Sequence, residues 1–147
     1  MPAGCGKDDS SPGTIDVGAG DAGILNYAYA LERLEGAFYA QVKTGTYYTS
    51  ASAAEKQIFD DLAGHEAIHR AFLMAAISAN GFTPLQNLTP DFSSITFSDR
   101  ASVLQAAQTF EDTYGQTASL LAEEHCAPVC GVYHHASWVA ALGQGLA

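Results

Sequence analysis

The sequence predicts an all-α four-helix bundle in which a long crossover joins the second and third helices. Three observations carry this reading. Four segments repeat apolar residues at helical spacing, and no convincing set of strands competes with them. The connections between these segments run short, long, short, as one four-helix topology requires. The chain has 147 residues, 48% of them hydrophobic, which suits one domain with one sizeable core rather than two.

Residues 1–20 hold five Gly, two Pro and no core pattern, and read as a flexible tether ahead of a bundle domain over 21–147. The first helix is expected to start at Asp21, a good N-cap, and to run to about Lys43, where Thr44-Gly45 stops it. Ile24, Ala28, Leu31, Glu35, Phe38 and Val42 fall on one stripe of it. Tyr27 lies at one edge of that stripe; Glu32 and Tyr39 lie at the other. The second helix begins near Ser52, where Ser52-Ala53-Ala54-Glu55 fits a capping box, and runs to about Asn80 before Gly81. Its stripe is Ile58, Leu62, His65, His69, Phe72, Leu73 and Ala76, with Glu66 at the edge. Residues 81–97, with two Pro, three Thr and two Ser, form the crossover.

The third helix starts at Ser98-Asp99 and continues to about Glu124, with Leu104, Ala107, Glu111, Tyr114, Ala118, Leu121 and Ala122 on one face. The fourth lies between about Gly131 and Leu142. Val132, His135, Val139 and Leu142 share its inner face, Trp138 flanks it and His134 points away. It is about half the length of the second.

Lys and Arg total 6 against 16 Asp and Glu, a net charge of −10, and a surface this acidic repels phosphate backbones, which argues against nucleic acid as a partner. No apolar run approaches the ~18–20 residues that span a bilayer.

The informative feature is polar residues on apolar stripes: Glu32 and Glu35 on the first helix, Glu66 and His69 on the second, Glu111 on the third and His135 on the fourth. An ionised carboxylate in a bundle core costs several kcal/mol unless something compensates it. Periodicity sends Arg33 and Arg70 elsewhere, and Lys43 and Lys56 lie near helix ends, so the chain has too few cations to neutralise the cluster. Bound dications or protonation would do so. In Glu66-Ala67-Ile68-His69, positions i and i+3 share a helix face, so a carboxylate oxygen and an imidazole nitrogen can reach the same ion. Oxygen ligands with a single nitrogen suit iron or manganese better than a structural zinc. His65 is expected to pack beside the site. The hydroxyls of Tyr27, Tyr39 and Tyr114 are expected to find partners in buried carboxylates.

These segments resemble the ferritin-like superfamily, in particular bacterial ferritin-like-domain proteins related to plant desiccation-related proteins. Leu25-Asn26-Tyr27-Ala28-Tyr29-Ala30-Leu31-Glu32 with Arg33-Leu34-Glu35-Gly36-Ala37-Phe38-Tyr39 is similar to the first-helix motif. His65-Glu66-Ala67-Ile68-His69-Arg70-Ala71-Phe72-Leu73 is similar to the second-helix motif, Phe110-Glu111-Asp112-Thr113-Tyr114 to the third and His134-His135-Ala136-Ser137-Trp138 to the end of the fourth. The resemblance covers about residues 16–143. It implies a di-iron site with Glu32, Glu66, His69, Glu111 and His135 as ligands and Glu35 as an additional one. Iron oxidation or peroxide defence, ferroxidase- or peroxidase-like, would follow. The motif's fourth-helix Glu is replaced here by Val132. That departure supports an alternative: a metal-free structural or stress-response protein that keeps the bundle and has lost the site.

Ala3-Gly4-Cys5 resembles the end of a bacterial lipobox, and Lys7-Asp8-Asp9-Ser10-Ser11 resembles the acidic tether of surface lipoproteins. Cys5 is therefore expected to carry a lipid anchor in the cell envelope, the upstream leader having been removed. The other reading is an ordinary flexible N-terminus that holds a Cys. Cys126 and Cys130 do not match a zinc pattern, and a disulfide between them needs the non-helical break that Pro128 makes available. Metal ions are the expected partners. A homodimer is compatible with the sequence, whereas a storage cage is not expected.

Overall fold

The computed structural model describes residues 15–86 and 88–124, with side chains on the last helix described through Thr113. The predicted fourth helix with Val132, His135 and Trp138, the pair Cys126 and Cys130, the Tyr114 side chain and Cys5 lie outside the described residues. Within them the structure is helical, without strands: α1 spans Gly20–Thr44, α2 Thr46–Ser50, α3 Ala53–Ala79 and α4 Arg100–Glu124. None of these helices is long and apolar enough to cross a membrane.

Local sequence sets most of the boundaries. At the start of α3 the Ser52 hydroxyl accepts from the Glu55 N–H (3.2 Å) while Glu55 Oε2 accepts from the Ser52 N–H (3.0 Å), closing the expected capping box. Gly81, with φ +75°, follows its C-terminus in the left-handed conformation that ends many helices. Asp99 Oδ2 accepts from the Ser102 N–H (2.8 Å) and so caps α4. Asp21 does not act as the expected cap: α1 begins one residue earlier, with Ala19 as N-cap and Asp21 in the first turn. There its charge still complements the helix dipole. The short helix α2 was not anticipated. Gly45 interrupts α1 as expected, but Tyr47 in the next turn is buried in the core, and that anchor holds Thr46–Ser50 helical.

Contacts between helices give their directions. Asn26, Tyr29, Glu32 and Tyr39 of α1 meet Thr83, Met74, His69 and Phe59 respectively, so α1 and α3 run antiparallel. Arg100 meets Glu55 near the start of α3, and Glu111 meets Tyr39 halfway along, so α4 runs parallel to α3 and antiparallel to α1. Parallel successive helices need a connection that returns the full length of the bundle, and residues 80–86 and 88–99 run along α1 as such a connection does. The Asn26 side chain donates to the Thr83 carbonyl (3.2 Å) and accepts from the Leu85 N–H (3.1 Å). The Arg33 guanidinium donates to the carbonyls of Leu85 (3.2 Å) and Leu88 (3.5 Å). Further along, Phe92 and Phe97 each pack 5.9 Å from the Phe38 ring. The Phe97 carbonyl then comes so close to Gly45 that a Cβ there would stand 2.6 Å from it, which fixes glycine at that position.

The apolar core lies in two parts. Phe38, Tyr39, Val42, Tyr47, Phe59, Leu62, Val103, Leu104 and Ala107 fill one end. Tyr29, Leu73 and Ile77 fill the other. Buried polar residues occupy the level between them.

Two stripes are rotated from their predicted positions. On α1 the buried set is Gly23, Asn26, Tyr29, Glu32, Glu35, Phe38, Tyr39 and Val42, while Ile24, Ala28 and Leu31 are only half-buried and Tyr27 is exposed. The cause is the cover on that helix: α3 packs on the Glu32–Tyr39 edge, and the crossover covers the Asn26–Arg33 flank. On α3 the buried line is Glu55, Phe59, Leu62, Glu66, Leu73 and Ile77. His65 and Phe72, both predicted to face inward, are exposed.

Candidate metal centre

Four glutamates meet between the two apolar clusters. Glu32 and Glu35 come from α1, Glu66 from α3 and Glu111 from α4, and none is more than 6% exposed. The helical rise puts Glu32 and Glu35 one turn apart on α1. The antiparallel register of α3 sets Glu66 and His69 beside them, and the parallel run of α4 from Arg100 brings Glu111 to the same level. Tertiary register, rather than any one motif, thus assembles the cluster.

His69 is the cationic member. Its Nδ1 lies 3.2 Å from Glu32 Oε2 and 3.3 Å from Glu66 Oε2. The nearby Glu32 and Glu66 carboxylates favour the protonated imidazole and raise its pKa to about 10, against the opposing effect of burial. One oxygen of Glu32, one of Glu66 and a ring nitrogen of His69 lie within 4.8 Å of one another, a spacing one metal ion could bridge. Glu35 and Glu111 lie beside this triad. Glu111 Oε1 accepts a short 2.6 Å hydrogen bond from the Tyr39 hydroxyl, the partner expected for that tyrosine.

Burial makes three of the carboxyl groups, those of Glu35, Glu66 and Glu111, hard to ionise. Glu35 is pushed up to about 10, first by burial and then by the charges of Glu66, Glu111 and Glu32. Glu66 rises to about 8, chiefly through burial, with His69 opposing the shift and Glu32 adding to it. Glu111 is raised by burial, and the Tyr39 hydrogen bond works against that. The Tyr39 hydroxyl is driven well above its ordinary value, by burial first and by Glu111 next.

Both oxygens of Glu32 are buried and accept no hydrogen bond of good geometry, despite the nearby imidazole. Buried carboxylate oxygens are nearly always satisfied, so an orphaned pair facing a second carboxylate and a histidine nitrogen is the electron-rich opening a cation fits. The donor set, carboxylate oxygens with one imidazole, matches iron or manganese.

Of the six residues singled out from the sequence, the structure brings Glu32, Glu35, Glu66, His69 and Glu111 together; His135 lies outside the described residues. His65 does not pack in the core; its exposed ring stacks on that of His69, with centroids 6.5 Å apart and planes 16° from parallel. One buried polar group escaped the sequence reading as more than a cap. Glu55 Oε1 also accepts from the Tyr47 hydroxyl (3.1 Å) and from Arg100 Nε (2.8 Å), tying α2, α3 and α4 together. The capping box was the only sequence signal for it.

The ferritin-like domain family model matches residues 20–127, which include every described residue of this cluster. Comparison with curated proteins and with solved structures returns no significant match. A match over this much of the chain, on a helical fold with an interior carboxylate cluster, makes the chain a member of the ferritin-like domain family.

Proposed function

We propose that this protein binds iron, or manganese in its place, at Glu32, Glu66 and His69, with Glu35 and Glu111 completing the surroundings, and that it serves iron oxidation or peroxide defence. The observation that carries this reading is the orphaned Glu32 carboxylate, fully buried and facing Glu66 and His69. Iron held there supplies a one-electron couple able to reduce O2 or peroxide. The chain supplies the rest. Tyr39 holds the Glu111 carboxylate in place through its hydroxyl. His69 presents Nδ1 to both carboxylates. Glu35 keeps a proton on its carboxyl group at neutral pH when no cation is near. The two apolar clusters exclude water from either end, which strengthens every charge interaction between them. His135, which the family resemblance offers as a further ligand, belongs to this proposal by sequence alone, and the lipobox-like Ala3-Gly4-Cys5 supports placing the activity in the cell envelope.

The test is elemental analysis of protein produced with iron and manganese available, followed by anaerobic Fe(II) titration and absorbance after admission of air. Stoichiometric metal in the wild type, lost in Glu66→Ala, is the expected result. Protein free of metal, with identical Fe(II) behaviour in the two forms, would leave a bundle that carries protons in its core and no metal function.

A further inference from the structure

Resting on the reading of Glu32, Glu66 and His69 as a metal centre, we propose that His65 is the outer ligand through which a divalent transition-metal cation passes between solvent and that centre. The four glutamates have almost no contact with solvent. Among the described residues, the aromatic cluster around Phe38, Tyr39 and Phe59 closes one end of the site, and Tyr29, Leu73 and Ile77 close the other. His69 is the member that reaches outward, with 11% of its side chain exposed. Its Nδ1 is turned inward to the two carboxylates. One helical turn away, the exposed His65 ring lies parallel to His69 at 6.5 Å. An imidazole at the surface, then an imidazole at the boundary, then buried carboxylates form a graded series of ligands.

The chemistry fits that order. A hydrated dication cannot enter a dry carboxylate cluster in one step, because its water must be exchanged for protein ligands successively. A single exposed imidazole is a good first ligand for Fe(II), Mn(II) or Co(II). It binds them too weakly alone to trap them. The net charge of −10 concentrates cations at the surface from which His65 would take them.

A residue that acts only on the way in lowers the same barrier from both sides, so its loss slows binding and release by one factor and leaves affinity unchanged. Co(II) is the probe, with its visible absorbance followed by stopped flow during loading and during removal by EDTA. In His65→Ala both rates are expected to fall about 10-fold, the lower end of what local focusing contributes to an on-rate. Stoichiometry and Kd should match the wild type, and His65→Asp should restore most of the rate. Wild-type rates in His65→Ala would overturn the proposal. So would a weakened Kd with unchanged loading, because that is the signature of a ring that merely props His69. Wild-type protein that takes up no Co(II) removes the metal centre and this route with it, whereas normal uptake with an indifferent His65→Ala removes the route alone.

Discussion

Glu35→Gln should stabilise the metal-free protein, and the gain should grow as pH rises. In the fold, Glu35 releases its proton only near pH 10, against 4.5 for the free group. Above pH 4.5 the unfolded chain has therefore released a proton that the folded chain still binds. Stability is full below that pH and declines as pH climbs from 4.5 toward 10. At pH 7 the gap is about 2.5 pH units, and at about 1.4 kcal/mol per unit the wild type loses about 3.5 kcal/mol through this one group. Glutamine keeps the shape of the protonated acid and has no proton to exchange. The variant should therefore exceed the wild type by about 3 kcal/mol at pH 7, less whatever burying the amide N–H costs, and by almost nothing at pH 4.5. Urea unfolding of chelator-treated protein across this range measures it, read as the divergence of the two midpoints. With metal supplied the advantage should shrink, because a cation lowers the cost of the ionised form. A pH-independent difference, or a variant less stable than the wild type at pH 8 without metal, would refute the account of Glu35 as a buried acid crowded by like charges.

Three further outcomes follow from the same geometry. Metal at about a hundred times its Kd should stabilise the wild type by about 2.7 kcal/mol, and chelator should reverse this. Glu66→Ala should show neither effect in calorimetry. Tyr39→Phe leaves Glu111 Oε1 buried without its donor and should cost about 1–3 kcal/mol in denaturant unfolding. Glu55→Ala removes a capping box and the contact with Arg100, and should cost about 2 kcal/mol at pH 7; the half-exposed Arg100 keeps the figure from being larger. Arg100 above all, with Ser52 and Tyr47, lowers Glu55 from 4.5 to about 2. Its contribution is thus full above pH 4.5 and vanishes as pH falls toward 2, so wild type and variant should converge in acid unfolding.

The positions of α1, α3 and α4 were legible in the sequence because their signals are local. The Ser52–Glu55 box, Gly45, Gly81 and Asp99 each act within a few residues of the boundary they set. Which polar residues of α1, α3 and α4 meet in the interior was legible for a different reason: glutamates and a histidine at apolar positions stand out whatever the helix rotation. The rotation itself was not legible. Asn26 has no place in the predicted apolar stripe, and its burial follows only once the crossover backbone at Thr83 and Leu85 is laid against it, 57 and 59 residues further on. His65 and Phe72 read as core because the stripe they complete is apolar, yet α1 covers only the Glu66 side of α3. Tyr47 lies in a stretch with no helical period at all, and its burial comes from packing against Phe59 and from the hydroxyl bond to Glu55.

The structure also turns a counting argument into a geometric one. Few Lys and Arg exist to balance the acidic core, and among the described residues none of them forms an ion pair with Glu32, Glu35, Glu66 or Glu111. Arg33 is spent on the carbonyls of Leu85 and Leu88, Lys43 on Asp60, Lys56 on the Thr49 carbonyl and Arg100 on Glu55, while Arg70 is exposed. His69 alone among the described cations faces the four carboxyl groups. A layer of leucines at this level would join the two apolar clusters into one core and remove the penalty that Glu35, Glu66 and Glu111 carry. A bundle under selection for stability alone has no use for four buried acids around one imidazole, and that is the burden the proposed cation would relieve.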